Sequence, residues 1–267
     1  MKGKTILITG STDGIGRQTA LELARRGGRI ILHGRSKERV AAAATEIEAE
    51  TGTAVDYVTG DFASLAQVRD MAADVLKKTD GLHVLINNAG TFSAERRMTE
   101  DCFELTWQVN HLAPYLLTCL LLERLKNSTP ARVVNVASMT HAYARLDYEN
   151  LQGEKEYKGS RAYSLAKLGN VMATFYLAEK LANCGVTVNC LHPGVVDTKL
   201  LRASYNIAGV SPEIGARTSI YLACSPEVEG VTGKYFDECK ETAPSPLSLD
   251  VEERQRFMDV TNRMLGL

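Results

Sequence analysis

The fold of this chain is decided near its start, in the stretch TILITGSTDGIGRQTALELA at residues 5–24. The first five residues are mostly apolar or β-branched, and they predict a buried strand over 5–9. A glycine cluster follows, and after it apolar side chains recur at helical spacing, which predicts a helix over 14–26. A strand, a tight glycine turn and a helix make the first half of a strand-helix-strand unit. The stretch therefore indicates an α/β fold.

The same alternation of short apolar runs and longer helix-period segments continues to about residue 190. Predicted strands lie at 5–9, 29–34, 54–59, 82–86, 132–137 and 186–191, with a last one at 233–236. Predicted helices lie at 14–26, 37–50, 64–78, 99–126, 160–183, 213–224 and 250–265. Several strands are apolar almost throughout, as strands covered on both faces are. This order predicts a single-domain, doubly wound parallel sheet, the Rossmann architecture.

Composition narrows the class of protein. The 267 residues include 31 basic and 32 acidic side chains, so a net charge of −1 creates no general field for nucleic acid or an anionic membrane. The six cysteines form no C-x-x-C pair, which predicts reduced thiols and no metal site. The first apolar run is too short for a signal sequence or a membrane span. We therefore expect a soluble cytoplasmic protein without a nucleic-acid partner, a membrane span or a metal.

The glycine turn has the spacing G-x-x-x-G-x-G. Glycines after a strand allow a tight turn and let backbone amides and a helix N-terminus approach a pyrophosphate. A plain strand-to-helix turn is the alternative, but the flanking strand and helix favour dinucleotide binding. The residues expected to contact the cofactor here are Gly10, Ser11, Thr12, Asp13, Gly14, Ile15 and Gly16.

The end of the second strand separates the two nicotinamide cofactors. An acid there would accept hydrogen bonds from the adenosine ribose, whereas an arginine would receive a 2′-phosphate. The chain has Gly34 at this point and Arg35 next to it, which favours NADP(H) over NAD(H). A solvated arginine that opens a helix is the alternative. Asp13 argues the other way, because its carboxylate can face the same phosphate.

Two further strand ends carry polar or small residues. Asp61 and Phe62 follow the third strand, where Asp61 is placed either to accept from the adenine amino group or to cap the next helix. The sequence INNAG ends the fourth strand and offers Asn88, Ala89 and Gly90 as cofactor contacts. Open α/β sheets bind ligands at the carboxyl ends of parallel strands, where all these residues are expected.

Four polar residues suit carbonyl reduction when they are taken together. Ser138 ends the fifth strand, Tyr163 and Lys167 share one helical face, and Asn110 interrupts an apolar helix. Each alone is explained by helix capping, surface exposure or a buried backbone contact. Reduction of a carbonyl needs a proton donor and a group that holds the oxygen. A tyrosine titrates near pH 10, and a neighbouring ammonium lowers the pKa of the phenol toward neutrality.

These motifs resemble, in order and approximate spacing, the short-chain dehydrogenases/reductases. The resemblance covers essentially the whole chain and rests on TGSTDGIG, NNAG, the VN pair at 109–110, Ser138, Tyr-x-x-x-Lys and HPG at 192–194. It implies that Tyr163 is the acid-base, that Lys167 binds the nicotinamide ribose and lowers the pKa of the phenol, and that Ser138 polarises the carbonyl. It further implies that Asn110 supports a proton relay through a water. The implied contacts to the carboxamide end of the nicotinamide are Pro193, Gly194, Val196 and Thr198.

A narrower resemblance is to the retinol dehydrogenase-like branch, through residues 148–170, 186–202 and 233–246. It implies NADP(H) and an apolar carbonyl or alcohol substrate. Many members carry an N-terminal hydrophobic anchor that this sequence does not show, which favours an aldehyde or ketone other than a membrane-borne retinoid. Residues 1–191 would form the cofactor-binding core with the catalytic residues, and 192–267 the substrate loop and C-terminal elements. Family dimers use helices like 99–126 and 160–183, so a homodimer or homotetramer is an option.

Three other functions compete with this interpretation. A dinucleotide-binding sensor without chemistry would lack part of the polar set, which is complete here. Sugar-nucleotide epimerases share the tyrosine and the lysine but differ in glycine spacing and chain length. A 3-oxoacyl-carrier-protein reductase would need a basic surface beside the cleft, for which Arg96, Arg97 and Arg145 are candidates.

Overall fold

A computed structural model describes residues 1–204 and 207–267 of the chain. Strands and helices alternate along these residues. The strands are β1 Thr5–Ile8, β2 Arg29–Gly34, β3 Val55–Thr59, β4 Val84–Asn87, β5 Ala131–Val136, β6 Val186–His192, β7 Lys234–Asp237 and β8 Lys240–Glu241. In the described part of the chain they form one sheet in the order β3-β2-β1-β4-β5-β6-β7-β8. Neighbours from β3 to β7 pair in parallel, and β8 pairs antiparallel with β7. The predicted single-domain, doubly wound sheet is confirmed.

Helices fill the crossovers between these strands. They are α1 Gly14–Arg25, α2 Lys37–Thr51, α3 Leu65–Lys78, α4 Leu105–Trp107, α5 Ala113–Lys126, α6 Gly159–Lys180, α7 Lys199–Ser204, α8 Pro212–Cys224, α9 Pro246–Leu249 and α10 Val251–Leu265. A π-helix over Gln108–Leu112 joins α4 to α5, and 3₁₀ helices lie at Met139–Tyr143 and Pro226–Val228. Hydroxyl or carboxylate side chains cap several of them: Asp13 caps α1, Ser36 caps α2, Ser64 caps α3 and Asp250 caps α10.

Alternate residues of each central strand enter two separate cores. In β1, Leu7 packs into the layer that contains α3, α5, α6 and α10, while Ile6 and Ile8 pack into the layer with α1, α2 and α8. All three side chains are fully buried. Because both faces are covered, the central strands are mostly apolar, which is the pattern that made them predictable.

The predicted helix over 99–126 is too long at its start. Residues 98 and 104 form a β-bridge, and Cys102 has a positive φ of 62°, so the chain before residue 105 is not helical. Glu104 then caps α4, since its carboxylate accepts from the N–H groups of Thr106 and Trp107 at 3.0 and 2.7 Å. Apolar periodicity alone did not reveal this cap. The short β8 and α9 were not predicted either.

The C-terminal helix α10 covers part of α5 and α6. Phe257 and Met258 belong to the same core as these helices, and Arg254 forms an ion pair with Glu179 on α6. The hydroxyl of Tyr115 donates to Asn262 at 2.9 Å. Part of the helical surface that the family resemblance offered for dimer contacts is therefore covered within the chain. Nowhere in the ranges described is there a helix with the length and apolar character needed to cross a membrane.

Candidate active site

A cavity of about 1100 Å³ opens at the carboxyl ends of the parallel strands. It brings together most of the residues predicted from sequence: Gly10, Thr12, Asp13, Gly14, Ile15, Gly16, Arg35, Asp61, Phe62, Asn88, Ala89, Gly90, Ser138, Tyr163, Lys167, Pro193, Gly194, Val196 and Thr198. Two predicted residues, Ser11 and Asn110, are not among the described residues that line it. The carboxyl edge of the sheet thus gathers motifs that are up to about 190 residues apart in sequence.

The glycine turn is packed against the end of β4. Gly10 has a φ of +62°, and a Cβ there would lie 2.8 Å from the Cα of Ala89. The side-chain amide of Asn88 donates to the main-chain oxygens of Thr9 and Gly10 at 2.8 and 3.1 Å. Only glycine fits this approach, and the second asparagine of NNAG fixes the turn. The turn is thereby held with its backbone beside the cavity, as a pyrophosphate site requires.

The structure does not support the prediction that Ser11 contacts a cofactor. Its hydroxyl donates to the oxygen of Ile8 at 2.8 Å and accepts from the N–H of His33 at 2.9 Å. Its own N–H donates to the oxygen of His33, and the residue is fully buried. Because these polar groups are committed to β1 and β2, Ser11 stabilises the turn from behind.

His33 is a site residue that the sequence analysis missed. Its Nδ1 accepts from the N–H of Gly10 at 3.1 Å, and its Nε2 contacts the oxygen of Gly60 at 2.9 Å. The ring stacks on Phe62 with centroids 4.8 Å apart. Burial lowers the pKa of His33 to about 4, so the ring is neutral at physiological pH. A neutral imidazole therefore joins the glycine turn to the end of β3.

The end of β2 has no room for an acidic side chain. A Cβ on Gly34 would lie 2.5 Å from the Cγ2 methyl of Thr12. Arg35 and Arg39 both line the cavity at this end, and Arg35 is 77% exposed. Their guanidinium groups lie 4.0 Å from Asp61 and 3.8 Å from Asp13. Arg39 was not predicted; it lies on the first turn of α2.

The carboxylate of Asp13 forms ion pairs with basic side chains of this chain. Its carboxylate accepts from the N–H of Gly14 at 2.8 Å and lies 2.5 Å from the ammonium of Lys199. The hydrogen bond from Lys199 is the main reason that the pKa of Asp13 lies below its ordinary value. This pairing offsets the negative charge that argued against a phosphate in the sequence analysis. It also joins the glycine turn to the segment that follows β6.

Asp61 does not cap a helix. Its Oδ1 accepts from the N–H of Ala63 at 3.0 Å, whereas the cap of α3 is Ser64. The carboxylate lines the cavity beside Arg35. The helix-cap alternative for this residue is therefore wrong, and its placement agrees with an adenosine contact.

Tyr163 and Lys167 lie one helical turn apart on α6 and face the cavity. The Nζ of Lys167 lies 5.5 Å from the centre of the Tyr163 ring and donates to the oxygen of Val136 at 2.8 Å. Lys167 is 3% exposed, and burial lowers its pKa to about 8. The rings of Phe92 and Tyr163 meet in an edge-to-face arrangement, with centroids 6.2 Å apart. A buried ammonium beside a phenol favours the phenolate electrostatically.

Ser138 follows β5 by two residues and is oriented by its own turn. Its Oγ accepts from the N–H of Thr140 at 3.2 Å and from the hydroxyl of Thr140 at 3.1 Å. A serine hydroxyl has two acceptor sites and one donor hydrogen. When the hydroxyl of Thr140 is the donor in this pair, the hydrogen of Ser138 is left for an oxygen in the cavity.

Asn110 lies in the π-helix and acts as a clamp on the chain after β4. Its amide donates to the oxygens of Thr106 and Thr91 at 2.7 and 2.9 Å, and its Oδ1 accepts from the N–H of Thr91 at 3.1 Å. A Cβ on Gly90 would lie 2.8 Å from this Oδ1 and 3.8 Å from the Nζ of Lys167. Both amide hydrogens are thus used by the backbone, and the side chain can only accept from a relay water, not donate to it.

Two more histidines near the site were not predicted from the sequence. His192 ends β6 and lines the cavity; its Nδ1 is buried and has no hydrogen-bond partner within the described residues. His141 lies behind Ser138 and contacts its main-chain oxygen. Burial lowers the pKa of both rings. The HPG motif drew attention to the proline and the glycine, and nothing in the pattern marked His141.

Comparison with known protein sequences indicates one family of dehydrogenases. The family model described as short chain dehydrogenase matches residues 4–206. Retinol dehydrogenase 14 of Mus musculus is 42% identical, over 100% of this chain and 87% of the relative. Retinol dehydrogenase 13 of Homo sapiens is also 42% identical, over 99% and 85%.

Solved structures share the fold. An uncharacterised protein from Mycobacterium paratuberculosis superposes with a TM-score of 0.82 at 29% identity, covering 99% of this chain and 94% of its own. A short chain dehydrogenase from Escherichia coli, complexed with NADPH, has a TM-score of 0.73 at 24% identity, covering 90% and 98%. At that identity the second match bears on the fold alone.

Proposed function

We propose that this chain, a member of the short-chain dehydrogenase family in its retinol dehydrogenase-like branch, interconverts an apolar alcohol and its aldehyde or ketone with NADP(H). The family makes it an oxidoreductase that acts on CH–OH groups with NAD(P). In this proposal Tyr163 is the acid-base. The observation that carries it is the placement of Ser138, Tyr163 and Lys167 on one cavity that continues to the glycine turn.

Each of these residues has a separate task in the proposed reaction. The nicotinamide cofactor supplies or accepts the hydride when it is bound. Ser138 donates its hydrogen to the carbonyl oxygen and fixes the position of that oxygen. Tyr163 gives a proton to the same oxygen in reduction and takes it back in oxidation. Lys167 favours the phenolate by its charge, and its bond to Val136 holds the ammonium in place.

The lining of the cavity fits a dinucleotide with a 2′-phosphate. Gly10 leaves the backbone of the turn open to a pyrophosphate, and Asn88 fixes that backbone. Arg35 and Arg39 present two guanidinium groups at the end of β2, where Gly34 excludes an acid that would repel a phosphate. These contacts support NADP(H) over NAD(H).

An apolar substrate is supported by the lining of the cavity. Besides Ser138 and Tyr163, the lining includes the apolar residues Leu105, Val109, Met139, Val195 and Ile207. Met139, Val195 and Ile207 are 46%, 39% and 57% exposed, so these apolar side chains are accessible to a molecule in the cavity. The relatives that are 42% identical are named for retinol, an apolar alcohol, and their names agree with this substrate class.

The structure gives little support to a carrier-protein substrate. Arg96 donates to the oxygen of Gln152 at 2.9 Å, and Arg97 lies 3.6 Å from Glu95. Neither these arginines nor Arg145 are among the described residues that line the cavity. A cytoplasmic location and the oligomeric state stay predictions.

The proposal is tested by turnover on a panel of carbonyls and alcohols with each cofactor. We expect NADPH-dependent reduction of decanal or all-trans-retinal, slower reduction of a small polar ketone such as acetoin, and weaker rates with NADH. Tyr163→Phe is the control for adventitious reduction. Absence of turnover on every compound, or a clear preference for NADH, contradicts the proposal.

A further inference from the structure

The turn that carries Ser138 contains one buried residue whose chemistry is unexpected. Ser138 caps the 3₁₀ helix Met139–Tyr143, and within it Met139 and Tyr143 are 46% and 73% exposed, whereas His141 is 3% exposed. The ring of His141 packs on Tyr235 of β7, with centroids 4.8 Å apart. Burying an imidazole costs solvation that an aliphatic side chain would not lose. The polar atoms of His141 therefore need an explanation.

Both ring nitrogens of His141 bind main-chain groups of fixed polarity. Its Nδ1 lies 2.7 Å from the oxygen of Ser138, and its Nε2 lies 3.0 Å from the nitrogen of Ser245. A carbonyl oxygen only accepts and a backbone N–H only donates, so Nδ1 carries the hydrogen and Nε2 accepts. The two contacts are satisfied together by one neutral tautomer only. Burial lowers the pKa of His141, in agreement with that state.

The far end of this bridge is a packed part of the chain. Ser245 precedes α9, and the guanidinium of Arg254 on α10 donates to the oxygen of Ser248 at 3.2 Å. Arg254 is 4% exposed, and α10 contributes Phe257 and Met258 to the core. His141 thus joins a surface turn at the active site to a rigid C-terminal segment.

We propose that His141 is a positioning residue for Ser138, through which the C-terminal segment around Ser245 holds the serine turn in its active geometry. The proposal rests on the proposed function, because Ser138 must act on a substrate oxygen. The oxygen of Ser138 also accepts from the N–H of His141 at 3.1 Å, but this bond belongs to the turn itself and moves with it. The imidazole is the contact that connects the turn to another part of the fold, the segment around Ser245.

Two variants at His141 separate its two contacts. His141→Asn keeps an amide N–H near the position of Nδ1, and so retains the bond to Ser138 while losing Ser245. His141→Gln places its amide near Nε2 and loses the bond to Ser138. We expect His141→Gln to lower kcat about 10- to 100-fold at nearly unchanged KM for NADPH, since a small misplacement of a reacting group has this effect. His141→Asn should lower kcat to within about 3-fold of the His141→Gln value, because the two bonds act in series and the loss of either one disconnects the turn from Ser245.

Two variants at Ser245 test the other end of the bridge. Ser245 has a φ of −60°, which proline adopts, and Ser245→Pro removes the N–H donor and the hydroxyl. The Cδ of proline also takes the place of the N–H hydrogen and pushes the His141 ring away, since Nε2 lies 3.0 Å from this nitrogen. The same substitution in His141→Asn, which has no Nε2 to displace, separates the lost bond from this steric effect. Ser245→Ala removes the hydroxyl and keeps the donor. We expect Ser245→Pro to lower kcat about 10- to 100-fold, like the two His141 variants, with Ser245→Ala unchanged. Combining His141→Asn with Ser245→Pro should add nothing, because both remove the same contact.

A matched control removes a similar bond far from the site. The Nδ1 of His83 accepts from the N–H of Thr5 at 3.0 Å, near the amino ends of the strands. His83→Gln should leave kcat unchanged even where it lowers the melting temperature. Hydrogen exchange of the backbone amides at 140 and 141 gives a readout without turnover, and it should quicken in His141→Gln, His141→Asn and Ser245→Pro but not in His83→Gln or Ser245→Ala.

The outcomes with decanal as the test substrate are distinct. Wild-type kcat in His141→Gln or in His141→Asn overturns the positioning role. Wild-type kcat and exchange in Ser245→Pro overturn the role of the C-terminal segment. Ser138→Ala is the reference: if it turns over like the wild type, the proposed function itself fails, whereas an inactive Ser138→Ala beside a fully active His141→Gln rejects only this inference.

Discussion

The ammonium of Lys167 lies 5.5 Å from the centre of the Tyr163 ring and is fixed there by a 2.8 Å hydrogen bond to the main-chain oxygen of Val136. The two side chains are one turn apart on α6, and the lysine is almost completely buried. Burial holds the pKa of Lys167 near 8, well below the ordinary value for a lysine. The charge that is proposed to tune the phenol is therefore itself sensitive to pH.

Replacement of Lys167 tests that charge. Lys167→Met should lower kcat about 10²- to 10⁴-fold, the range over which acid-base groups contribute. In the wild type, NADPH should bind more weakly above about pH 8, because the ammonium that is expected to contact the ribose is lost as pH rises through the pKa of Lys167. Fluorescence titration of NADPH between pH 6.5 and 9.5 measures this. Equal pH dependence in the wild type and in Lys167→Met would assign the effect to another group.

Arg35 is expected to receive the 2′-phosphate. Arg35→Ala should lower kcat/KM for NADPH by about one to three orders of magnitude, because a charge-assisted bond to phosphate is lost, and should change NADH kinetics little. Arg39→Ala should act in the same direction. Arg29→Ala is the matched control, since Arg29 lies at the other end of β2 and pairs with Asp56. Unchanged NADPH kinetics in Arg35→Ala reject the assignment.

The lack of room at Gly34 gives a second prediction on cofactor choice. Gly34→Asp alone should impair both cofactors, because its Cβ would lie 2.5 Å from the methyl group of Thr12. Adding Thr12→Ala removes that methyl group, so the double variant should gain NADH turnover over Gly34→Asp. Steady-state kinetics of the two variants decide the point. A single variant that already uses NADH as well as the double variant does would show that the contact imposes no restriction.

All five histidines have a pKa lowered by burial, and this predicts a loss of stability in acid. Below about pH 6.5 the histidines of the unfolded chain bind protons that the same histidines do not bind in the folded chain. The free energy of unfolding therefore falls as pH falls. For His33 and His111 this window extends down to about 4 and about 3. Each histidine contributes at most about 1.4 kcal/mol per pH unit.

Urea unfolding at pH 7, 6 and 5 measures this dependence. The wild type should lose stability steadily across the series, and His111→Gln should lose less per pH unit even if it starts from a lower value. A free energy of unfolding that stays constant from pH 7 to 5 would contradict neutral, buried histidines. Carboxylates that titrate at lower pH, such as Asp13, affect this range little.

Sequence predicted the sheet well because its central strands are buried on both faces and are therefore mostly apolar, whereas the edge strand β3 is largely half-buried and contains Asp56. The start of the helix at 99–126 was misplaced because the Glu104 cap and the positive φ of Cys102 leave the apolar spacing unchanged. The cofactor motif at Gly10 was predictable because close backbone approach requires glycine.

The rest of the site depends on contacts that no local pattern encodes. His33 reaches Gly10 across 23 residues, and His141 reaches Ser245 across 104. Ser11 lies within the glycine motif, yet its hydroxyl turns toward β1. Asn110 was predicted as a relay residue, but the contacts that occupy its amide come from Thr91 and Thr106. Which atoms are already engaged is decided by folding, not by the motif.

The most direct measurement is a comparison of Tyr163→Phe with the wild type, in parallel assays of decanal reduction and NADPH binding. Phenylalanine keeps the ring and removes the only proton that the side chain can transfer. The account predicts that Tyr163→Phe loses turnover by at least about 10²-fold while the Kd for NADPH stays within about 3-fold of the wild type. Turnover near the wild-type rate in Tyr163→Phe would contradict the assignment of the acid-base.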